Sequence, residues 1–487
     1  MGTLLPACEP RPTPPSPRFA WGVASGDPTA RSVVLWTRLD VREPEEIELE
    51  VFEDPDASAP VTRELALAEP ERDGCVKVDL EGLSPGSTYY FRFRTIDGMS
   101  PLGRTRTLPE GPTAHVRLGV VTCSNFAAGH FQVYRRLAER PDLWAIVHLG
   151  DSIYEYGDGE YGSLRPLDPP HTTVTLSEYR RRYARYRLDP DLAELTRQHP
   201  LLVVWDDHEF ANNAHRAGAP GHDPEVLGPW ADRVEAARRA FFEWTPVRDE
   251  TRVHRALQLG DLTRIVLLDT RMDGRDPPPI DEAEWQRRDR RLVSDEQERW
   301  LRGWLASRDV SFTVVANQVV LAPFAAQNNL DAWDGYPAQR ARILEAIAGA
   351  PAPVVVVTGD THSSLALDLP GPTYEASTQR GSLGVEWGTS AVSSPTLASD
   401  PRETERALLA STPHLRFTEQ EHRGFLLLDI THARARGEWW LLDGVARPED
   451  GRATLVRAFE TNALDRASRA ASPLPSPPAS DAPPRAR

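Results

Sequence analysis

Three apolar runs in this chain end abruptly on clusters of ionisable residues. Ala145-Ile146-Val147-His148-Leu149 runs into Gly150-Asp151-Ser152-Ile153-Tyr154. Leu201-Leu202-Val203-Val204-Trp205 runs into Asp206-Asp207-His208-Glu209, and Val354-Val355-Val356-Val357 into Thr358-Gly359-Asp360-Thr361-His362. Runs that are apolar at nearly every position, rather than every second one, predict strands buried on both faces. Further apolar runs at 116–121, 264–268, 312–316 and 425–430 alternate with segments of helical spacing at 177–187, 232–244 and 294–307. In the last of these, Ser294-Asp295-Glu296-Gln297 reads as a cap, with Trp300, Leu301, Trp304 and Leu305 on one stripe. Strand–helix alternation predicts a layered α/β domain, with a mixed or parallel sheet, over residues 114–466.

Upstream the texture differs. Strand-like segments at 32–37, 47–51, 76–80 and 89–94 follow one another at short spacing, with Leu83-Ser84-Pro85-Gly86 as a turn. This predicts a small N-terminal β-sandwich of immunoglobulin or fibronectin type over residues 18–110. The Pro-rich stretch 1–17 and the Ala/Ser/Pro-rich stretch 467–487 are expected to be disordered.

Composition narrows the function classes. The formal net charge is -16, which argues against a nucleic acid or an anionic membrane as partner. An anionic substrate then needs a local positive site, from Arg or a bound metal. Lys77 is the only lysine, a bias read as genomic base composition. Three cysteines, Cys8, Cys75 and Cys123, make neither a disulfide framework nor a CxxC zinc pattern. No apolar run reaches transmembrane length. The N-terminus shows no basic and apolar export signal and no twin arginine, and only Leu5-Pro6-Ala7-Cys8 faintly resembles a lipoprotein site. The patterns GxxxxGK[ST] and GxSxG are absent, so no P-loop and no serine elbow is present.

The strand ends carry the candidate chemistry. After a buried strand, Gly150 lets the chain turn and Asp151 projects at the sheet edge, where its two oxygens can bridge two metal ions. The alternative is a helix cap. Tyr154 can reach the same place. Cys123 follows the strand at 118–122; alone it reads equally as a small buried hydrophobe. A thiolate and a phenolate beside a carboxylate suit a trivalent transition metal better than Mg²⁺ or Ca²⁺. Asp206-Asp207-His208-Glu209 is costly near a core unless paired or metal-bound; the alternative is an exposed acidic loop. Asp207, Asn212 and Asn213 offer oxygen to a hard cation, and His208 can orient substrate or donate a proton. In an extended segment Asp360 and His362 point the same way and can serve one site. Arg271 is a candidate phosphate clamp, or else an ion-pair partner of Asp269 or Asp273. Asn317 and Gln318 are candidate supporting amides. Together these are the parts of a two-metal hydrolase, in which each ion polarises a phosphoryl oxygen and one supplies hydroxide.

With these residues in place, the sequence resembles the PhoD-type alkaline phosphatases of the metallophosphoesterase group. The resemblance runs in order over about 19–440. It starts at Phe19-Ala20-Trp21-Gly22-Val23-Ala24-Ser25-Gly26-Asp27-Pro28 and Val34-Leu35-Trp36-Thr37-Arg38, and continues through Cys123-Ser124-Asn125. It takes in Gly150-Asp151-Ser152-Ile153-Tyr154-Glu155-Tyr156-Gly157 and Trp205-Asp206-Asp207-His208-Glu209. It ends with Glu243-Trp244-Thr245-Pro246-Val247-Arg248, Leu268-Asp269-Thr270-Arg271, Asn317-Gln318 and Gly359-Asp360-Thr361-His362-Ser363. It implies phosphomonoesterase and phosphodiesterase activity with Fe³⁺ and Ca²⁺. Cys123, Asp151, Tyr154 and His362 match the iron ligands, and Asp151 bridges toward a calcium region with Asp360, Asp207 and Asn213. His208 and Arg271 assist charge and leaving group. The segment 155–176 would cover the site. The resemblance also implies export, for which the chain shows no signal. The expected partner is a small phosphate ester, with no nucleic acid, no membrane span and a monomeric chain. The rival readings are a phospholipase D-type phosphodiesterase on the same scaffold and a non-catalytic metal-dependent binding protein.

Overall fold

A computed structural model describes residues 17–324, 329–479 and 482–487. The expected disorder of 1–16, with Cys8, lies outside the described residues. The polypeptide forms a mixed α/β structure around two large sheets. The first has ten strands. At its centre His115–Val121, Ala145–His148 and Pro200–Val203 run parallel, with Val23–Gly26 parallel to the last of them. Antiparallel strands Gly424–Thr431, Ala435–Leu442 and Ala453–Thr461 extend one side. The second sheet has seven strands, with Thr263–Leu267, Phe312–Asn317, Val354–Thr358 and Arg380–Gly388 parallel at its centre.

The unbroken apolar runs have a direct explanation. Val355 and Val357 point into a core shared with Leu118, Val120 and Ile146 of the other sheet. Val354 and Val356 point the opposite way, against Leu301, Leu305, Ile343 and Ile347 of the helices Asp295–Leu305 and Pro337–Gly349. Both faces of the strand are covered, so neither can be polar. The other sheet is covered on its far side by Gln132–Ala138, Leu176–Arg187, Pro190–Gln198 and Trp230–Trp244. Ser294 caps its helix as predicted, its Oγ accepting the Gln297 N–H at 3.0 Å.

Residues 18–110 place strands in two layers about one apolar core, with Leu35 and Val78 on one side and Leu49, Val51, Phe91 and Phe93 on the other. One layer is the small sheet of Thr62–Ala68, Glu45–Phe52 and Thr88–Thr95 with their short partners. The other layer is not separate: Val23–Gly26, Val33–Arg38 and Cys75–Leu80 are the last three strands of the ten-stranded sheet. The boundary near residue 110 is therefore a change of texture and not a gap between sheets.

Against the expectation of a disordered 467–487, the described residues 467–479 and 482–487 make specific contacts with the rest of the fold. Arg469–Ala470 pairs with Ala453–Thr461. The Ser476 N–H and Oγ both donate to Glu438 Oε1 at 2.7 Å. Gln198 brackets the Ala486 backbone at 3.0 Å on both sides, and Tyr90 donates to Pro484 O at 2.6 Å. Composition lacked apolar drive, but buried polar anchors elsewhere in the fold supply partners to this backbone. Among the described residues no helix is long and apolar enough to cross a membrane.

Candidate metal centre and active site

The C-terminal ends of the parallel strands bring Asp151, Asp207, His208, Asn213, Asp360 and His362 to one cleft of about 270 Å³, while Cys123, Tyr154 and Arg271 are buried and do not line it. Asp151 sits between two groups of ligand atoms. Its Oδ2 is 3.3 Å from Cys123 Sγ and 3.2 Å from Tyr154 Oη, and Tyr154 Oη is 3.3 Å from His362 Nε2. Its Oδ1 accepts the His208 backbone N–H at 3.2 Å. Ligand atoms of Cys123, Asp151 and His362 lie within 4.8 Å of one another, as do those of Asp151, Asp207 and His208 and those of Asp206, Asp207 and Asp360. Asn212 and Asn213 line the same cleft, and the Asn213 backbone N–H donates to Asp207 Oδ2 at 2.6 Å.

The backbone is strained at these residues. Cys123, Asp151, Asn213, Asp360 and His362 have φ of 59°, 53°, 53°, 63° and 54°. Left-handed conformations at non-glycine residues cost roughly 1–3 kcal/mol each and persist where the surroundings impose them, typically at functional sites. Asp360 and His362 thus reach one cleft by a different route from that expected. The segment is not extended; it coils through two left-handed residues. Glycines let the strand ends close up. A Cβ on Gly150, at φ 102°, would lie 2.3 Å from Asp206 N, and one on Gly359 would lie 2.5 Å from Thr122 Oγ1.

Supporting groups hold the ligands in place. The buried Glu209 accepts the N–H groups of Asp151, Ser152 and Asp206 at 3.0, 2.6 and 2.7 Å and the Ser152 hydroxyl at 2.7 Å. His362 Nδ1 is 2.7 Å from Pro395 O, so it carries the proton and leaves the Nε2 lone pair free. Ser394 Oγ donates to Tyr154 Oη at 2.7 Å. Asn317 and Gln318 brace strand ends instead of the site: Gln318 bonds Thr270 Oγ1 and Leu268 O, at 2.7 and 2.6 Å.

Arg271 is not where a phosphate clamp must be. It is fully buried and pairs with Asp206 and Asp331, with Asp207 and Asp360 each 3.4 Å away. Neither Asp269 nor Asp273 is its ion-pair partner; the Asp269 carboxylate instead accepts the Arg271 backbone N–H at 3.0 Å. The physical reason is charge balance: carboxylates from separate segments converge there, and a guanidinium fork meets several at once.

Even so, the anionic groups outnumber the cations. Burial drives the Cys123 thiol, the Asp151 carboxyl and the Tyr154 phenol well above their usual ranges, and nearby anionic groups add to each rise. Burial pushes Asp360 up to about 6 against the pull of Arg271. Burial would raise Asp207 too, but Arg271 and His208 hold it at about 2. Burial would lower His208, but Asp207, Glu155 and Asp151 raise it well above its usual value. Burial lowers His362 to about 4, so it is neutral and free to ligate. Asp206 Oδ2 and Asp207 Oδ1 are buried without a hydrogen bond; the guanidinium is the nearest charge to the latter, at 3.4 Å. Carboxyls that hold protons and orphaned carboxylate oxygens are what a cation would satisfy. The candidate donors fall into two groups of different chemistry. Cys123, Asp151, Tyr154 and His362 form a soft and phenolic group; Asp207, Asp360 and Asp151, with the amides of Asn212 and Asn213 alongside, form an oxygen-rich one.

Sequence reasoning missed Glu155, which bonds His208, and Asp331, which binds Arg271 and Arg275. It also missed Tyr156 and Tyr161, which wall the cleft. Glu155 and Tyr156 stood inside a quoted motif, but only the fold shows what they face. Asp331 carried no signal.

Two facing sheets whose strand ends deliver a thiol, a phenol, imidazoles and carboxylates to one place define a class: α/β enzymes built around a cation-seeking site. The family model for "PhoD-like phosphatase" matches residues 118–439, and that for "PhoD-like phosphatase, N-terminal domain" matches 6–109. The chain belongs to the PhoD-like phosphatase family and is a phosphoric ester hydrolase. It is 33% identical over 479 residues to alkaline phosphatase D of Bacillus subtilis (strain 168), covering 90% of this chain and 80% of that protein. A solved structure described as "Structure of PhoD" superposes with a TM-score of 0.86 at 30% identity, over 95% of this chain and 94% of the other.

Proposed function

We propose that the chain hydrolyses phosphate esters at a dinuclear metal site, of the iron and calcium kind that the resemblance implies. The observation that carries this is Asp151: one oxygen faces the Cys123–Tyr154–His362 group, and the other turns toward the Asp207–His208 side. Cys123, Asp151, Tyr154 and His362 would hold one ion, and Asp151, Asp207 and Asp360, with Asn213 beside them, the other. The chemistry such ions supply when bound is Lewis acidity, which acidifies water and draws charge from phosphoryl oxygens.

The chain's own groups do the rest. His208 lines the cleft and is placed to give a proton to the departing alcohol. Arg271 keeps Asp206, Asp207, Asp331 and Asp360 together and so sets where the oxygen-rich group lies. Tyr156 and Tyr161 wall the cleft on the side of the 155–176 segment.

A diester is favoured over a monoester. Among the described residues lining the cleft none is Arg or Lys, so a monoester dianion finds no guanidinium for its extra charge. A diester carries one charge less. The metal-loaded protein is expected to hydrolyse a bis-aryl phosphate with a higher kcat/KM than the matching aryl phosphate. A higher value for the monoester would reject the diester preference. No hydrolysis of either would reject the hydrolytic reading.

A further inference from the structure

The cleft is not polar all round. Leu397 lines it and is 68% exposed, so most of its isobutyl group faces water. A lone exposed leucine is ordinary on a surface, but Leu397 stands at a site and on a fixed backbone. Two residues before it, Pro395 O accepts from His362 Nδ1 at 2.7 Å. Thr396 Oγ1 donates to Gln420 O at 2.5 Å and accepts the Ala398 N–H at 3.2 Å. Ser393 and Ser394 donate to Asn125 O and Cys123 O at 2.8 and 2.9 Å. A backbone pinned at these points leaves Leu397 no route into a core. Tyr161 supplies a second apolar surface next to the same imidazole. Its ring stacks on His362 at 6.4 Å, tilted by 29°, and is packed by Tyr154 and Tyr156 at 5.8 and 5.6 Å. Asn125 Nδ2 donates to Tyr161 O at 2.6 Å. Gly162, at φ 132°, lets this segment lie on Ala127; a Cβ there would come within 2.7 Å of Ala127 C. Where the carboxylates gather on Arg271, the lining is instead oxygen and amide groups, from Asp207, Asn212, Asn213, Asn329 and Asp331.

We propose that Leu397 and Tyr161 form an apolar shelf for the alcohol that a diester retains, so that esters with an apolar aliphatic substituent there are preferred. This rests on the phosphate-ester reading. The leaving alcohol belongs beside His208, whereas Leu397 is tied to His362 through Pro395 on a different segment. The retained substituent then lies on the shelf both before and during cleavage of the other ester bond. A contact made equally in both states lowers KM and leaves kcat alone. Removing the leucine and the substituent from water together favours binding. A polar chain finds no hydrogen-bond partner on a phenyl face and an isobutyl group, and must shed water to lie there.

The test holds the leaving group constant and varies the retained one. Nitrophenyl phosphodiesters carrying methyl, hexyl or methoxyethoxyethyl are given to the metal-loaded protein, and nitrophenolate release is followed by absorbance. The hexyl ester is expected to exceed the methyl ester at least about tenfold in kcat/KM, the low end of what apolar contacts discriminate. The methoxyethoxyethyl ester, of similar length, should stay within about threefold of the methyl ester. Leu397→Ser is expected to lower the hexyl-to-methyl ratio about three- to tenfold, through KM, and Leu397→Met to keep it. Metal content and thermal midpoint are read on the same samples. A parent ratio near one, an ether ester as good as the hexyl ester, an unchanged ratio in Leu397→Ser, or loss of metal or folding in that variant would overturn the shelf. No hydrolysis of any ester by the parent would instead reject the phosphate-ester reading. Those two failures are distinguishable.

Discussion

Replacing Arg271 by methionine tests whether this guanidinium is an internal counterion or a substrate clamp. At an effective dielectric of about 20, each carboxylate 3.4 Å away attracts the guanidinium by about 5 kcal/mol before desolvation. Burial of the ions offsets much of this, but deleting one partner of a buried pair leaves the others uncompensated and costs about 3–5 kcal/mol. Here Asp206 and Asp331 lose their direct partner as well. Arg271→Met is therefore expected to lower the chemical-denaturation midpoint of the metal-stripped protein clearly at neutral pH. Lysine should recover only part, because a point charge cannot span carboxylates that a fork reaches. The pH dependence follows from the signs. In the native protein Asp207 is depressed to about 2, so its contribution is present above the unfolded value of about 3.9 and is lost as pH falls through about 2. Without Arg271 the folded carboxyls bind protons more tightly than the unfolded chain does. Their penalty is then largest at neutral pH and shrinks on acidification. The gap between variant and parent should narrow between neutral pH and about pH 4–5. An unchanged midpoint with a KM raised tenfold or more would refute the counterion reasoning and restore Arg271 as a clamp.

Two other substitutions probe the frame. Gly150→Ala is expected to cost at least about 2 kcal/mol, since the new Cβ would lie 2.3 Å from Asp206 N at a φ of 102°. It should also lower metal content, checked by melting and by elemental analysis. Deleting residues 474–487 removes both Ser476 bonds to Glu438 and the Arg117 bond to Pro477 O. Three hydrogen bonds to charged groups at about 1.5–3 kcal/mol each set an upper range of about 4.5–9 kcal/mol for the loss, before the chain entropy regained by removing the tail; a thermal midpoint equal to that of the full chain would mean that the tail contributes nothing.

The sequence made the interior easy to read and the margins hard. Val354–Thr358 announces itself because both faces are buried and four valines fill them. Thr263–Leu267 does so only from Ile265 on, since Thr263 and Arg264 are buried with polar partners. Ser364–Glu375 does not, because Pro370, Gly371 and Pro372 interrupt it and its register shifts there. Val23–Gly26 is too short to stand out, yet its pairing with Pro200–Val203 merges the N-terminal strands with the ten-stranded sheet. At the site, residue types were legible because thiol, phenol, imidazole and carboxylate at strand ends have few other uses. Partnership was not. Arg271 and Asp206 are 65 residues apart, Glu155 and His208 53 apart, and no local pattern encodes which charge meets which. The left-handed turns at Cys123, Asp151 and Asp360 were equally hidden, since none is glycine and the fold imposes them.

The central claim is that two ligand groups share Asp151, and metal stoichiometry tests it most directly. Protein purified without chelators, together with Cys123→Ser, Asp360→Asn and Asp151→Asn, is analysed for bound metals. The parent is expected to hold two ions per chain, one of them iron. Cys123→Ser should lose the iron and Asp360→Asn the other ion, while Asp151→Asn loses both. A single ion per chain, zinc in place of iron, or an Asp151→Asn protein that keeps both ions would contradict the account.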